Sequence, residues 1–235
     1  MFSAVVTDFW TRGVSLSARP DRVHVVVDPT LTDEWAVSIM SVEGGPRILA
    51  VSPPRANAVG VTHGDELEAD QVTSALLAAG VALNAPDNIF HVTAAHGRAL
   101  ATEPIRPGVR ALTLDDHAAF DRFTADAPDD DVDEAFVELD HWLVFGCFVD
   151  GRLVSAASMY PWDGSTLADT GVLTLPAYRG RGHGVATVRA LSARALQLGD
   201  EPQYRCQVDN VASVSLAQAA GFTLLGTWEV VLPTD

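Results

Sequence analysis

At 235 residues the chain has room for one large domain or two small ones, and 48% apolar residues suit a packed core rather than a disordered chain. Its net charge of −16 argues against a nucleic-acid backbone as partner; it either keeps the protein soluble or helps to draw in a cationic substrate. No run reaches eighteen apolar residues and Asp8 interrupts the N-terminal apolar stretch, so neither a membrane span nor a secretory leader is expected, and the two cysteines read as reduced core residues of a cytoplasmic protein.

In chain order, residues 2–12 predict a short helix with Phe2, Val5, Val6, Phe9 and Trp10 on one side. Residues 23–27, 35–42 and 47–51 read as strands, the last two joined by the hairpin signal Glu43-Gly44-Gly45-Pro46 and closed by Pro53-Pro54. Residues 67–83 suggest a helix. His24, His63, His91 and His96 lack metal-ligand spacing, so they read as structural or solvated. Two prolines and a glycine within 102–108 mark a boundary, which divides the chain into an α+β region, 1–103, and a second region, 104–235.

The second region opens with a strand over 109–114 and a helix from Asp115-Asp116 carrying Phe120 and Phe123. Asp129, Asp131 and Asp133 resemble a calcium loop only superficially, because Glu134 stands where glycine is needed; they read as the start of a helix reaching Leu139, and no metal is expected. Residues 142–149 and 153–160 form a hairpin across Asp150-Gly151, and a third strand covers 167–175. A helix with Val185, Val188, Leu191, Ala195 and Leu198 on one face follows, stopped by Gly199, then a strand, a helix and a last strand from Phe222.

The turn opening that long helix is Arg179-Gly180-Arg181-Gly182-His183-Gly184. Three alternate glycines between a strand and a helix let the backbone N–H groups of Gly180 through Val185 approach an anion, and Arg179 and Arg181 add charge, so this is a phosphate or pyrophosphate cradle. It is neither a dinucleotide fingerprint, since Val185 stands where the third glycine belongs, nor a Walker loop, since the chain has no lysine.

What the segment resembles is the central motif of the GCN5-related N-acetyltransferases (GNAT), Arg-x-x-Gly-x-Gly, as Arg179, Gly182 and Gly184 after Pro176-Ala177-Tyr178. A second motif of that family is matched by Asn210, Ser213 and Leu216 followed by Gly221-Phe222. Phe9-Trp10, the 23–27 strand, 50–54 and 144–148 further resemble a bacterial subgroup that carries an additional N-terminal region. The resemblance implies an α/β GNAT fold, with a mixed central sheet flanked by helices and the N-terminal α+β region packed against it. It covers Val109 to about Leu232, where one strand remains for the two that usually end the family; either that segment bends into two, or the first region supplies the missing neighbour.

The implied activity is transfer of an acetyl group from acetyl-CoA, as co-substrate, to a primary amine on a small molecule or peptide, by direct attack in a ternary complex. The alternative is a catalytically weak acyl-CoA-binding module. The resemblance lays the pantetheine arm along Val172, Leu173 and Thr174, places Asn210 on that arm and Ser213 at the start of the last helix, and puts Ala217 where relatives commonly carry a tyrosine acid. Asp169 and Glu138 are the candidate bases by chain region. Monomer and homodimer both stay open.

Overall fold

A computed structural model describes residues 1–232. In chain order the elements are α1 (Ala4–Thr11), β1 (Val23–Val27), β2 (Val37–Val42), β3 (Arg47–Val51), α2 (Pro53–Val59), β4 (Glu66–Leu67), α3 (Ala69–Ala78) and β5 (Asp87–Val92). There follow α4 (Ala94–Leu100), β6 (Val109–Ala111), α5 (His117–Ala125), α6 (Asp129–Ala135), β7 (Leu143–Val149), β8 (Arg152–Pro161) and β9 (Leu167–Thr174). The chain closes with α7 (His183–Leu198), β10 (Glu201–Gln207), α8 (Val211–Ala220) and β11 (Phe222–Val230). From β6 onward the order is the expected one.

These elements form two compact units, each discontinuous in sequence. One holds Met1–Ser3, Phe90–Arg205 and Val211–Thr223; the other holds Ala4–Ile89, Cys206–Asn210 and the chain from Leu224 on. In the second of these, the strands run β4-β1-β3-β2-β11. Val25, Ile39, Leu49 and Val51 lie in its core with Val72 and Leu76 of α3, because both faces of β1 and β3 are covered. The hairpin between β2 and β3 turns where expected, with Val42 N donating to Pro46 O.

Several boundaries, and the burial of one residue, differ from the sequence expectation for local reasons. Pro53-Pro54 opens α2 instead of merely ending β3, since proline fits the first helical turn. Trp35 falls in a 3-10 turn before β2, and Leu67 pairs in β4, so the helix expected over 67–83 is cut to α3. Leu198, expected on the buried face of α7, is 46% exposed beside the helix-ending Gly199, whose φ is +96°. Finally, α6 stops at Ala135 because Phe136 turns left-handed (φ +45°), which leaves Glu138 in the following loop.

The other unit carries the cradle. Its strand order is β10-β9-β8-β7-β6, and Phe90–Val92 of β5 lie beside β10. β5 and α4 were not foreseen; every residue of β5 is buried, so it lacks the alternation that announces a half-buried strand. β11 is one strand, and the place beside β10 goes to residues from the first region. His91 fixes that contact, its Nδ1 lying 3.0 Å from Pro202 O. Phe120 and Phe123 of α5 pack on Val144, Leu153, Ala156 and Leu173, which seats one helical layer on the sheet. On the other face α7 buries Thr187, Val188, Leu191 and Ala195.

Candidate functional site

The cradle forms where β9 ends. Gly180 and Gly182 have φ of +71° and +77°, a region that costs other residues ~1 kcal/mol or more, and Gly182 caps α7. The first N–H groups of α7, from His183 to Val185, therefore point out of the helix with no intrahelical acceptor. A Cβ on Gly180 would meet nothing within 4 Å, whereas one on Gly184 would lie 2.9 Å from Thr174 Oγ1 and 3.0 Å from Leu216 Cδ1. Gly184 thus lets α7 approach β9 and α8, while Gly180 and Gly182 leave open backbone for a ligand.

The two predicted arginines divide the work. Arg179 is held from both sides: Nε donates to Thr174 O at 3.0 Å and its NH2 group to Asp131 Oδ2 of α6 at 2.7 Å. Arg181 is exposed, over the Tyr178 ring at 5.6 Å. A third, missed in the sequence, is Arg106, whose NH1 group lies 3.4 Å from Gly182 O. It comes from the proline-rich segment before β6, and no spacing links it to the turn 76 residues away. His183 lies 3.4 Å by its Nδ1 from Cys147 Sγ; burial, then Arg106 and Arg181, hold the imidazole below its usual pKa.

From the cradle a free strand edge leads inward. β8 pairs with β9 through Ser155↔Thr174, but β10 pairs with β9 only from Leu167 to Thr170, opposite Tyr204. Gly171–Thr174 therefore have a partner on one side alone among these ladders. Leu175 N donates to Val154 O of β8, and strand alternation then turns Leu173 toward β8 and Val172 and Thr174 away from it. The Thr174 carbonyl is already taken by Arg179, so what this edge turns outward is the Val172 N–H and C=O and the Thr174 N–H. Of the three predicted arm-binding residues, two face the opening by backbone and Leu173 does not.

Beside that edge stands a polar and aromatic wall. Phe136, His141 and Tyr160 meet with ring centroids 5.1–5.4 Å apart. His141 Nδ1 is 2.8 Å from Ser158 Oγ, and its Nε2 is 3.4 Å from Glu138 Oε2. Ser158 faces Gly171 and Tyr160 faces Asp169 across the β8–β9 ladder. The Asp169 carboxylate is 4% exposed and accepts from Tyr160 Oη at 3.0 Å, Gln203 Nε2 at 3.0 Å and Arg205 at 3.5 Å. Burial pushes its pKa up against these favourable partners. The two predicted carboxylates thus reach one wall, Asp169 inside it and Glu138 half exposed at its rim. Ser213 bonds Tyr204 Oη at 2.7 Å within the first turn of α8. Asn210 closes a turn after β10, its N–H donating to Gln207 O, and belongs to the other unit.

Residues 111–222 match the model of the acetyltransferase (GNAT) family. Among solved structures, a GNAT-family acetyltransferase from Colwellia psychrerythraea is 18% identical, with 70% of this chain and 63% of that chain covered at a TM-score of 0.50. Its fold is the GNAT fold. A GNAT-family acetyltransferase from Novosphingobium aromaticivorans, 22% identical, covers 64% of this chain and 65% of its own at a TM-score of 0.48. The present chain thus spans slightly under two thirds of either relative's length. No curated protein matches it. Proteins of the GNAT fold bind acyl-CoA and transfer its acyl group to amines on small molecules or peptides.

Against that fold, Ala217 is informative. It is fully buried in α8, so a tyrosine has no room there as the helix is packed. Among the described residues no group of three or more His, Cys, Asp or Glu side chains is placed to hold a metal ion, and no helix is long and apolar enough to cross a membrane. Sequence reasoning missed Arg106, His141 and Ser158. The last two carried no signal, because each acquires meaning only from the strand opposite or the loop above it.

Proposed function

We propose that this protein is an N-acyltransferase that passes an acetyl group from acetyl-CoA directly to a primary amine in a ternary complex. The observation that carries the reading is the free β9 edge, Gly171–Thr174, running from the glycine cradle to the wall of ionisable side chains. An acyl-CoA needs these features in this order: an anion site for its pyrophosphate, an unpaired strand for the amides of its arm, and a polar wall where its thioester meets the acceptor. In this proposal Gly180 through Val185 hold the pyrophosphate by backbone N–H, with Arg106 and Arg181 beside them. Val172 N–H turns toward the thioester carbonyl, where negative charge builds during attack. Asp169 and Glu138 take up the amine proton, and Asn210 and Ser213 keep the roles that the family resemblance implies. We further propose a cytoplasmic setting, and that residues 1–103 complete the structure of the catalytic region and mark the bacterial subgroup they resemble.

The test has two arms, calorimetry with acetyl-CoA and release of free thiol in the presence of an amine panel. The folded Gly182→Val protein places a branched side chain at φ +77° beside Arg106, and its affinity for acetyl-CoA is expected to fall by about tenfold or more. Unchanged affinity removes the cradle assignment. The second reading, a binding module without turnover, is favoured by Ala217, and it is the outcome if acetyl-CoA binds tightly but no amine releases thiol.

A further inference from the structure

The wall contains a proton path that neither carboxylate provides alone. Asp169 is 4% exposed, so an amine on the free edge of β9 cannot touch it. Tyr160 can mediate, because it stands opposite Asp169 on β8, is only partly buried, and gives its hydroxyl proton to Asp169 Oδ2 at 3.0 Å. Its ring is fixed by Phe136 and His141 at 5.4 and 5.2 Å. We infer that Tyr160 is a catalytic residue, relaying the proton of the incoming ammonium group to the buried Asp169 carboxylate. The inference rests on the N-acyltransferase reading and names the atom that touches the acceptor.

The step balances as follows. The ammonium nitrogen gives one proton to Tyr160 Oη while the hydroxyl proton of Tyr160 passes to Asp169 Oδ2, leaving a neutral amine and a carboxylic acid. The nitrogen lone pair forms the C–N bond at the thioester carbon, and the C–S bond breaks with its electron pair on sulfur. The second nitrogen proton goes to that thiolate, giving the amide and the free CoA thiol, and the reverse relay returns the proton on Asp169 to solvent. No separate acid is needed at Ala217.

The charged environment is consistent with this direction of transfer. Burial raises the carboxyl pKa above its ordinary range and so makes the ionised form a better proton acceptor, while Arg205 at 3.5 Å pulls in the opposite direction. The other titratable groups at the wall are Glu138 and His141, paired with each other across 3.4 Å. The Tyr160 phenol is pushed up to about 12, first by burial and then by Asp169, so it never stands as phenolate near neutral pH and acts only by exchanging one proton for another.

The test compares Tyr160→Phe, Asp169→Asn and the double variant with n-butylamine, charged at neutral pH, and methoxyamine, which is neutral there. Phenylalanine keeps the ring and its packing. Each single variant is expected to acetylate n-butylamine roughly 100-fold more slowly, with acetyl-CoA affinity held within about twofold. The double variant should be about as slow as either single one, because both residues serve one path. With methoxyamine, which needs no such deprotonation, the variants should run close to wild type. Equal losses with both amines, or additive losses in the double variant, overturn the relay and leave Tyr160 a packing residue. If the wild-type protein binds acetyl-CoA but acetylates neither amine, the transferase reading itself fails and the relay with it.

Discussion

Gly171 offers a sharp test of how the acceptor wall is built. It stands at the start of the free β9 edge, opposite Ser158, with the end of α6 laid directly over it. A Cβ at this position would fall well inside contact distance of the Ala135 carbonyl and 2.9 Å from the Phe136 carbonyl. Both neighbours are backbone atoms, so no side chain can swing away. Ordinary carbon contacts lie near ~3.5 Å, which obliges the end of α6 to withdraw by roughly 1 Å. Overpacking of this kind costs about 1–3 kcal/mol. At about 2–4 °C per kcal/mol for a chain of this size, Gly171→Ala should melt about 2–12 °C lower. The same shift carries Phe136 away from Tyr160 and His141, and a displacement of ~1 Å near reacting groups costs about 100-fold in turnover. The cradle belongs to a separate stretch, so acetyl-CoA affinity should change by less than about threefold. Scanning calorimetry, titration calorimetry and thiol release read the three quantities on one preparation. A variant with parental melting temperature and parental turnover would refute the seating of α6 on Gly171 and, with it, the wall as described.

Other perturbations separate the remaining parts. Arg106→Ala should weaken acetyl-CoA binding by about tenfold and flatten its salt dependence, measured by titration at two ionic strengths, since a cation beside the Gly182 cap is lost. Ala217→Tyr, which introduces the phenol common in proteins this segment resembles, should destabilise the fold by about 1–3 kcal/mol or more in urea melts rather than raise turnover, because Ala217 is completely buried. His91 is fully buried and burial lowers its pKa from 6.5 to about 3, so between those values the unfolded chain binds a proton that the folded one refuses. Its stability contribution is therefore intact above pH 6.5 and falls as the pH drops toward 3; His91→Gln should show a shallower decline of the urea midpoint across that window.

What the sequence made legible were features written in contiguous residues. The cradle is six residues long, and two of its three glycines, Gly180 and Gly182, take positive φ; the hairpins at Glu43–Pro46 and Asp150-Gly151 announce themselves in the same way. β5 was illegible because all six of its side chains are buried, which erases the period-two pattern. The early stop of α6 depends on Phe136 taking a left-handed conformation, which nothing in an apolar residue advertises. That single turn moves Glu138 off the helix and brings it to His141, so this boundary difference displaced one of the two candidate carboxylates.

Charge shows the same division between local and distributed information. A net charge of −16 opposes the approach of any anion, yet a field is felt locally, within roughly 8 Å at physiological salt. At the cradle Arg106, Arg179 and Arg181 converge, and the helix end of α7 adds its own positive pole. Arg179 is half spent on Asp131, and that pair serves the architecture, tying α6 to the end of β9 where the ladder with β10 has already ended. The exposed geometry of this ion pair makes it worth little as stabilisation. Its worth lies in position: the same guanidinium occupies the Thr174 carbonyl, so of the two outward-facing residues on the free edge, Val172 keeps both its N–H and its C=O available. An arginine of the cradle turn thereby also decides which backbone groups of β9 are left open.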